Sequence, residues 1–289
     1  GGRRALVRRV GNAALTGFTL PKLLWVREHE SEVMSRTGTV LMPKDFVRFR
    51  LTGELATDVG DASGTLLFDV AERRWSPEMF ASVGLAEGLV PPALESAAAA
   101  GRVTPWAAQE TGLAAGTLVV AGSGDNMAGA VGAGVVSTGL VLATLGTSGV
   151  VYAHTDKLRL DVHFGEQSGR IHTMCAATGS EGHAGGWCVT GCMLSAGGAI
   201  KWCRDVLAPG TSFDALLREA ESAPPGSEGL VFLPYLTGER CPHPDPTARG
   251  GWIGLTARHG RAHMVRAVVE GVTFGMTQIL DLMRGIGIT

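Results

Sequence analysis

Two glycine-containing turns, each following a short aliphatic run, constrain this chain more than any other feature. The first is Leu118–Asn126, LVVAGSGDN, in which a carboxylate follows a predicted strand. The second is Leu142–Gly149, LATLGTSG, in which the bare backbone N–H groups of a glycine-threonine-serine turn can hold an anion. A general base and an anion-binding turn are the minimal equipment for phosphoryl transfer, which we take as the leading hypothesis.

Each turn also has a plain structural interpretation. Aspartates flanked by glycines usually only form turns. The sequence GTSG between two predicted strands is more often a simple β-hairpin than a phosphate loop. The chain contains no P-loop ending in Gly-Lys-Ser/Thr, and Gly122-x-Gly124 lacks the third glycine of a dinucleotide fingerprint because Met127 stands there. From the residues alone, both interpretations stay open.

The composition narrows the class of protein. At 289 residues we expect two α/β domains, with a boundary at 136–139 that separates residues 1–136 from 137–289. A net charge of −2 argues against a nucleic-acid partner. Without an apolar run of membrane length or a signal peptide, and with an odd number of cysteines, we expect a cytoplasmic protein. Cys188 and Cys192 lack the second pair of a zinc site, so we expect no metal ligands and read them as buried thiols.

Hydrophobic periodicity and turn residues predict alternating strands and helices, which indicate a mixed sheet with flanking helices. The region 127–136 reads as a helix whose glycines, Gly129, Gly132 and Gly134, pack closely on a neighbour. The helix predicted over 193–207 begins with Ser195–Gly198, an almost bare first turn of the kind that binds phosphates. We predict helices at 20–33, 45–51, 75–83, 193–207, 213–220 and 263–284, strands at 40–42, 117–121, 140–145, 150–154, 171–176 and 230–236, and loops at 156–170 and 179–186.

Longer segments resemble the FGGY family of carbohydrate kinases. Gly17–His29, GFTLPKLLWVREH, is similar to the family's first signature. Gly250–Leu255, followed by His263-Met264 and Ala267–Glu270, is similar to its second signature. Within the family, the chain most resembles bacterial members that phosphorylate xylulose, in the segments Leu41–Asp45, Leu51–Glu54 and Leu233–Arg240.

The resemblance implies two actin-like, ribonuclease-H-like ATPase domains around a cleft. Asp125 matches the family's general base and Asn126 its sugar-side neighbour. Gly146 and Thr147 match the phosphate turn for the nucleotide, and Gly197 a glycine that lines the nucleotide site. The implied reaction transfers phosphate from ATP, with Mg²⁺, to a sugar, D-xylulose first, with glycerol, gluconate or ribulose as alternatives.

The family's Asp-x-Gly-Thr phosphate loop and its glycine-rich adenine-side motif do not occur in this sequence. The chain also lacks an initiator methionine. We therefore expect a piece of a longer kinase that is inactive alone, with both domains incomplete. A non-catalytic, actin-like module that binds a sugar or nucleotide is the alternative, and the oligomeric state, including a homodimer, is left open.

Overall fold

The computed structural model describes residues 2–162 and 167–289, so residues 163–166 of the predicted loop at 156–170 lie outside the described part. We number the elements in chain order. The helices are α1 (Arg3–Val10), α2 (Thr19–His29), α3 (Ser31–Arg36), α4 (Pro43–Thr52), α5 (Val59–Ser63), α6 (Pro77–Val83), α7 (Pro105–Thr111), α8 (Asp125–Gly132), α9 (Gly197–Leu207), α10 (Phe213–Glu221) and α11 (Arg261–Gly285). The strands are β1 (Thr57–Asp58), β2 (Phe68–Asp69), β3 (Arg74–Trp75), β4 (Ala93–Leu94), β5 (Ala99–Arg102), β6 (Leu118–Val120), β7 (Val141–Leu145), β8 (Gly149–Thr155), β9 (His172–Cys175), β10 (Trp187–Met193), β11 (Val231–Leu233) and β12 (Gly251–Ile253).

The strands form one four-stranded sheet and several two-stranded ones. The larger sheet has the order β7–β8–β10–β9. Strand β1 pairs with β4 in parallel, whereas the β2–β3, β5–β6 and β11–β12 pairs are antiparallel. Parallel and antiparallel pairing together with many helices confirms the expected α/β class.

The chain divides into two compact units. The first comprises the residues up to Leu140 together with Ala153–Val189, and the second comprises Val141–Tyr152 and Thr190–Thr289. The division into 1–136 and 137–289 stays a prediction. In the part of the chain that the structure covers, no helix is long and apolar enough to cross a membrane.

The first unit has an aliphatic and aromatic core beneath α2 and α6. Its largest fully buried side chains include Phe68, Phe80 and Leu67, and Trp75 packs edge-on against the two phenylalanines. Helix α6 begins where Ser76 Oγ accepts the N–H of Met79, as the Ser-Pro sequence predicts.

The second unit is organised around the long helix α11. Its apolar face is buried as the 3.6-residue spacing predicts, through Val265, Val268, Val272, Met276, Ile279 and Met283. Phe232 of β11 lies beside Trp252 of β12, with ring centroids 4.8 Å apart. The loop 234–250 connects β11 to β12 and contains Glu239, whose contacts are described below.

The expected close packing of the α8 glycines is wrong in the described structure. A Cβ added at Gly129, Gly132 or Gly134 would meet no other atom within 4 Å. Gly129 and Gly132 lie in the helix. Gly134 has a φ of +76°, and this backbone conformation alone is a sufficient reason for glycine at that position.

We therefore expect Gly129→Ala to stabilise this chain by about 0.5–1 kcal/mol, because alanine loses less backbone entropy in a helix. Urea denaturation measures the change. Gly134→Ala is the matched control and should destabilise the chain, because alanine is strained at positive φ. Equal effects of the two substitutions would contradict the conformational argument.

Candidate active site

The first predicted turn forms a corner between β6 and α8. Strand β6 ends at Val120, and the backbone then bends at Gly122, whose φ of +82° favours glycine. Gly124 occupies the N-cap position, and Asp125 is the first residue of the helix. Asp125 thus lies at a helix N-terminus, where the partial positive charge of the helix favours a carboxylate.

Asp125 and Asn126 are both exposed at the start of α8. Asp125 Oδ1 accepts the backbone N–H of Asn126 at 2.7 Å. Within residues 2–162 and 167–289, no hydrogen bond engages the second Asp125 oxygen or the Asn126 side-chain amide. A carboxylate oxygen and a primary amide are therefore available to a polar ligand.

This corner packs tightly against the turn that begins α5. A Cβ built on Gly124 would lie 2.7 Å from Asp61 Oδ1, and one on Gly60 would lie 2.7 Å from Ser123 Oγ. A side chain at either position would therefore have to push the Asp61 carboxylate or the Ser123 hydroxyl aside. The Asp61 carboxylate consequently lies directly beside the corner that carries Asp125.

A lysine holds three carboxylates together below this corner. Lys44 Nζ lies 2.6 Å from Asp45 Oδ1 and 2.7 Å from Asp58 Oδ1. The same ammonium lies 3.3 Å from Asp61 Oδ2. Asp58 also caps α5 by accepting the N–H groups of Gly60 and Asp61 at 2.7 and 3.1 Å. We call Lys44, Asp45, Asp58 and Asp61 the Lys44 cluster.

Arg48 connects the Lys44 cluster to the corner itself. Its guanidinium is 4% exposed and lies 3.1 Å from Asp45 Oδ1. It donates hydrogen bonds to the carbonyl oxygens of Ala121, at 2.7 Å, and Ala56. Because Ala121 directly precedes the corner, the Arg48 hydrogen bond fixes the corner that carries Asp125 relative to α4.

The charges of this region do not balance, since two cations face three carboxylates. Burial raises the pKa of Asp58 although Lys44 opposes the shift, and burial together with the Asp58 charge raises the pKa of Asp61. For Lys44, burial works against ionisation, but Asp58 and the hydrogen bonds to Asp45 and Asp58 raise its pKa overall. The Lys44 ammonium is therefore firmly charged, while the carboxylates remain incompletely compensated.

Sequence reasoning missed the Lys44 cluster. The segment that contains Asp58 and Asp61 showed only caps and turn formers, and Lys44 lay in a segment noted for family resemblance. The available signal was the presence of three aspartates and a lysine in and next to two short helices. Because Lys44 and Asp45 are more than ten residues from Asp58 and Asp61, the sequence alone did not indicate that these side chains meet.

In the second unit, the predicted anion-binding turn lies between β7 and β8. Gly146 and Thr147 are exposed, and Gly146 donates its N–H to the Ser148 carbonyl at 3.0 Å. Ser148 Oγ donates to the Leu194 carbonyl at 3.3 Å. The turn is therefore anchored at its far end while its tip is open to solvent.

The first turn of α9 does consist of small residues, but the helix begins at Gly197 and not at 193, and the expectation that its amides are available to a phosphate is wrong. The N–H groups of Ala196 and Gly198 donate to the Thr147 carbonyl, and that of Gly197 donates to the Gly146 carbonyl, at 2.9–3.0 Å. These amides hold the turn instead of being available for a phosphate. Gly197 is required for this contact, since its Cβ would lie 2.5 Å from the Gly146 oxygen.

Two family models match the chain in succession. The N-terminal domain model of the FGGY family of carbohydrate kinases matches residues 1–132, and the C-terminal domain model matches residues 141–288. A xylulose kinase from Bacillus subtilis is 40% identical over 276 residues, covering 96% of this chain and 53% of that protein. A xylulose kinase from Escherichia coli is 39% identical over 278 residues, covering 96% and 55%.

Solved structures agree with this assignment. A xylulose kinase from Rhodospirillum rubrum is 29% identical with a TM-score of 0.88, covering 99% of this chain and 56% of that one. A gluconate kinase from Lactobacillus acidophilus is 26% identical with a TM-score of 0.89, covering 97% and 55%. The chain thus has the actin-like ATPase fold of sugar kinases, and it spans about half the length of the curated relatives it matches. Both successive family models and the fold place it in one family: this chain belongs to the FGGY carbohydrate kinases.

Proposed function

We propose that the protein that carries this chain transfers the γ-phosphate of ATP to a hydroxyl of D-xylulose, forming D-xylulose 5-phosphate. The observation that carries the proposal is the exposed Asp125–Asn126 pair at the glycine corner of a chain 40% identical to a xylulose kinase over almost its whole length. The gluconate kinase from Lactobacillus acidophilus, with a TM-score of 0.89 against 0.88 for the xylulose kinase from Rhodospirillum rubrum, makes another polyol the principal alternative.

In this proposal Asp125 acts as the general base. One of its oxygens is held by the Asn126 N–H, which orients the carboxylate, and the other accepts the proton of the attacking hydroxyl. The Asn126 side chain both donates and accepts hydrogen bonds, which suits neighbouring sugar hydroxyls. The Lys44 cluster keeps the corner rigid, and positioning is the larger part of catalysis in phosphoryl transfer.

The second unit supplies the proposed nucleotide contacts. The exposed tip presents the Thr147 backbone N–H and hydroxyl, which suit phosphate oxygens, while the Gly146 N–H stabilises the turn by donating to the Ser148 carbonyl. Gly197 acts indirectly, since it lets α9 approach the turn. Magnesium usually binds one or two carboxylates together with substrate phosphates, and Asp61, the carboxylate beside the proposed base, is the residue at the corner that would hold it. When bound, it neutralises charge on the phosphate oxygens.

The test is a coupled assay of ADP release by the longest natural protein that contains this chain. D-xylulose, D-gluconate, D-ribulose and glycerol are compared, with calorimetric titration of ATP–Mg²⁺ in parallel. We expect the highest kcat/KM for D-xylulose. A higher value for another polyol would correct the substrate, whereas nucleotide binding without turnover on any of them would favour a non-catalytic binding module.

A glycine substitution tests the nucleotide turn. Gly197→Ala should displace the Gly146 carbonyl, because forced backbone shifts in packed regions cost about 1–3 kcal/mol. At 1.4 kcal/mol per factor of ten, the dissociation constant for ATP should rise roughly 5- to 150-fold. Calorimetry measures the change.

Gly251→Ala in β12 is the control, since a Cβ there meets nothing within 4 Å. It should leave ATP affinity unchanged. A folded Gly197→Ala protein with unaltered ATP affinity would refute the role of this turn.

A further inference from the structure

A buried glutamate lies behind the proposed nucleotide turn, in the same unit. Glu239 is 3% exposed and follows β11 in the loop 234–250. Its Oε1 accepts the N–H groups of Arg240 at 2.7 Å, Leu194 at 2.9 Å and Cys241 at 3.4 Å. A single carboxylate oxygen thus joins two chain segments that are far apart in the sequence.

The other carboxylate oxygen of Glu239 makes burial of this side chain unfavourable in free energy. In the described part of the chain, Glu239 Oε2 is buried and has no hydrogen-bond partner. Burial raises the pKa of Glu239, although the three N–H groups and Arg240 oppose the shift. Burying an ionisable group with an unpaired oxygen costs free energy of folding, so we look for a role of Glu239 beyond stabilising the fold.

The segment that Glu239 holds is the one that supports the turn. Leu194 lies between β10 and α9, and its carbonyl accepts Ser148 Oγ. The amides of residues 196–198 then hold the carbonyls of Gly146 and Thr147. Ser195 Oγ and Thr237 Oγ1, 3.3 Å apart, form a second connection between the same two segments.

The packing around the turn leaves it little freedom to adjust. A Cβ at Gly149 would lie 2.6 Å from Met276 Sδ and 3.0 Å from both Ala196 Cβ and Met193 Cγ. A shift of the 194–198 segment is therefore transmitted to the turn, because close-packed interiors transmit strain.

We propose that Glu239 is a positioning residue that fixes the turn at 146–148 in the conformation that receives the nucleotide phosphates. The proposal rests on the nucleotide role of that turn given above. Glu239 acts through Leu194 and the following amides and does not itself touch the phosphates.

The test compares Glu239→Ala, Glu239→Gln and the unsubstituted protein by hydrogen exchange without nucleotide, followed by ATP titration. Glu239→Ala leaves three N–H groups unpaired, so amide exchange in peptides covering 141–152 and 190–200 should accelerate at least about tenfold, the equivalent of 1.4 kcal/mol. The dissociation constant for ATP should rise by a similar factor. Glu239→Gln retains an acceptor oxygen, so its amide exchange and its ATP affinity should both be close to those of the unsubstituted protein.

Glu270→Ala is the matched control. Glu270 is a partly buried glutamate of the same unit whose Oε1 accepts from Gly226 N and Arg266 Nε, so its loss should change neither readout. The KM for the sugar should be unaffected by the Glu239 substitutions, which separates a local effect from general loosening. If Glu239→Ala does not fold, Glu239→Asp replaces it, since it keeps the charge but shortens the reach.

Normal exchange at 141–152 in a folded Glu239→Ala protein would overturn the proposal, as would unchanged ATP affinity after the turn has loosened. If the unsubstituted protein binds no ATP, it is the nucleotide role of the turn that fails. The exchange measurements still determine in that case whether Glu239 holds the turn.

Discussion

Asp125→Ala is expected to lower kcat for sugar phosphorylation by about 10²–10⁴-fold, the usual cost of losing a general base. ATP affinity should survive, because the turn at 146–148 and its anchors are unchanged. The side chain is exposed and its hydrogen bond runs to the adjacent Asn126 N–H, so the fold should persist. Steady-state kinetics and ATP calorimetry on the same preparation measure both effects.

Asp125→Asn sharpens this experiment. Asparagine keeps an oxygen for the Asn126 N–H but cannot accept a proton at neutral pH, so it should be nearly as inactive as alanine. Asp281→Asn, at an exposed carboxylate paired with Arg284, serves as the control and should leave kcat unaltered. Residual turnover above about one per cent of the unsubstituted rate in Asp125→Ala would count against the assignment of Asp125 as the base.

Lys44→Met is expected to reduce the free energy of unfolding by about 3–5 kcal/mol, because removing one partner of a buried ion pair leaves uncompensated charge. Asp45 and Asp58 are fully buried and Asp61 is 25% exposed, so water cannot replace the ammonium at all three. Urea denaturation at pH 7 measures the loss. Lys201→Met, which removes an exposed pair with Asp205, should have little effect.

The pH dependence of Lys44→Met has a definite sign. A carboxylate whose pKa is raised in the folded state contributes stability below its unfolded pKa and loses that contribution as the pH rises through the folded pKa. Lys44 lowers the pKa of Asp58 and Asp61, so its removal raises both further. The deficit should therefore be largest at neutral pH and should shrink towards about pH 5. A deficit that grows on acidification would refute this account of the Lys44 cluster.

Periodic segments with clear boundary residues were predictable from the sequence. The long α11, the helices entered through Ser76-Pro77 and ended at Gly53, and the strands on both sides of the 146–148 turn lie where predicted, within a few residues. Each has strong apolar spacing or a terminal residue with one favoured conformation. Such signals are local and do not depend on the rest of the chain.

Other elements depended on contacts that local signals do not contain. Residues 40–42 form no strand, and the Val40 N–H instead donates to the Leu89 carbonyl. The helix predicted over 20–33 breaks at Glu30, whose φ of −129° separates α2 from α3. Strand β10 was missed because its glycine and cysteines give weak periodicity, and the sheet supplies the hydrogen bonds that stabilise it.

By itself the sequence determined the family, the α/β class and the residue types at the two turns. These can be recognised because each signature segment and each glycine turn is a short contiguous stretch of the chain. Only the tertiary structure decided that Lys44 gathers three carboxylates under the Asp125 corner and that Glu239 supports the turn at Gly146. The α9 amides likewise proved to be occupied. The physical reason is that burial and electrostatic compensation are properties of groups brought together by packing, and no spacing along the chain specifies which groups will meet.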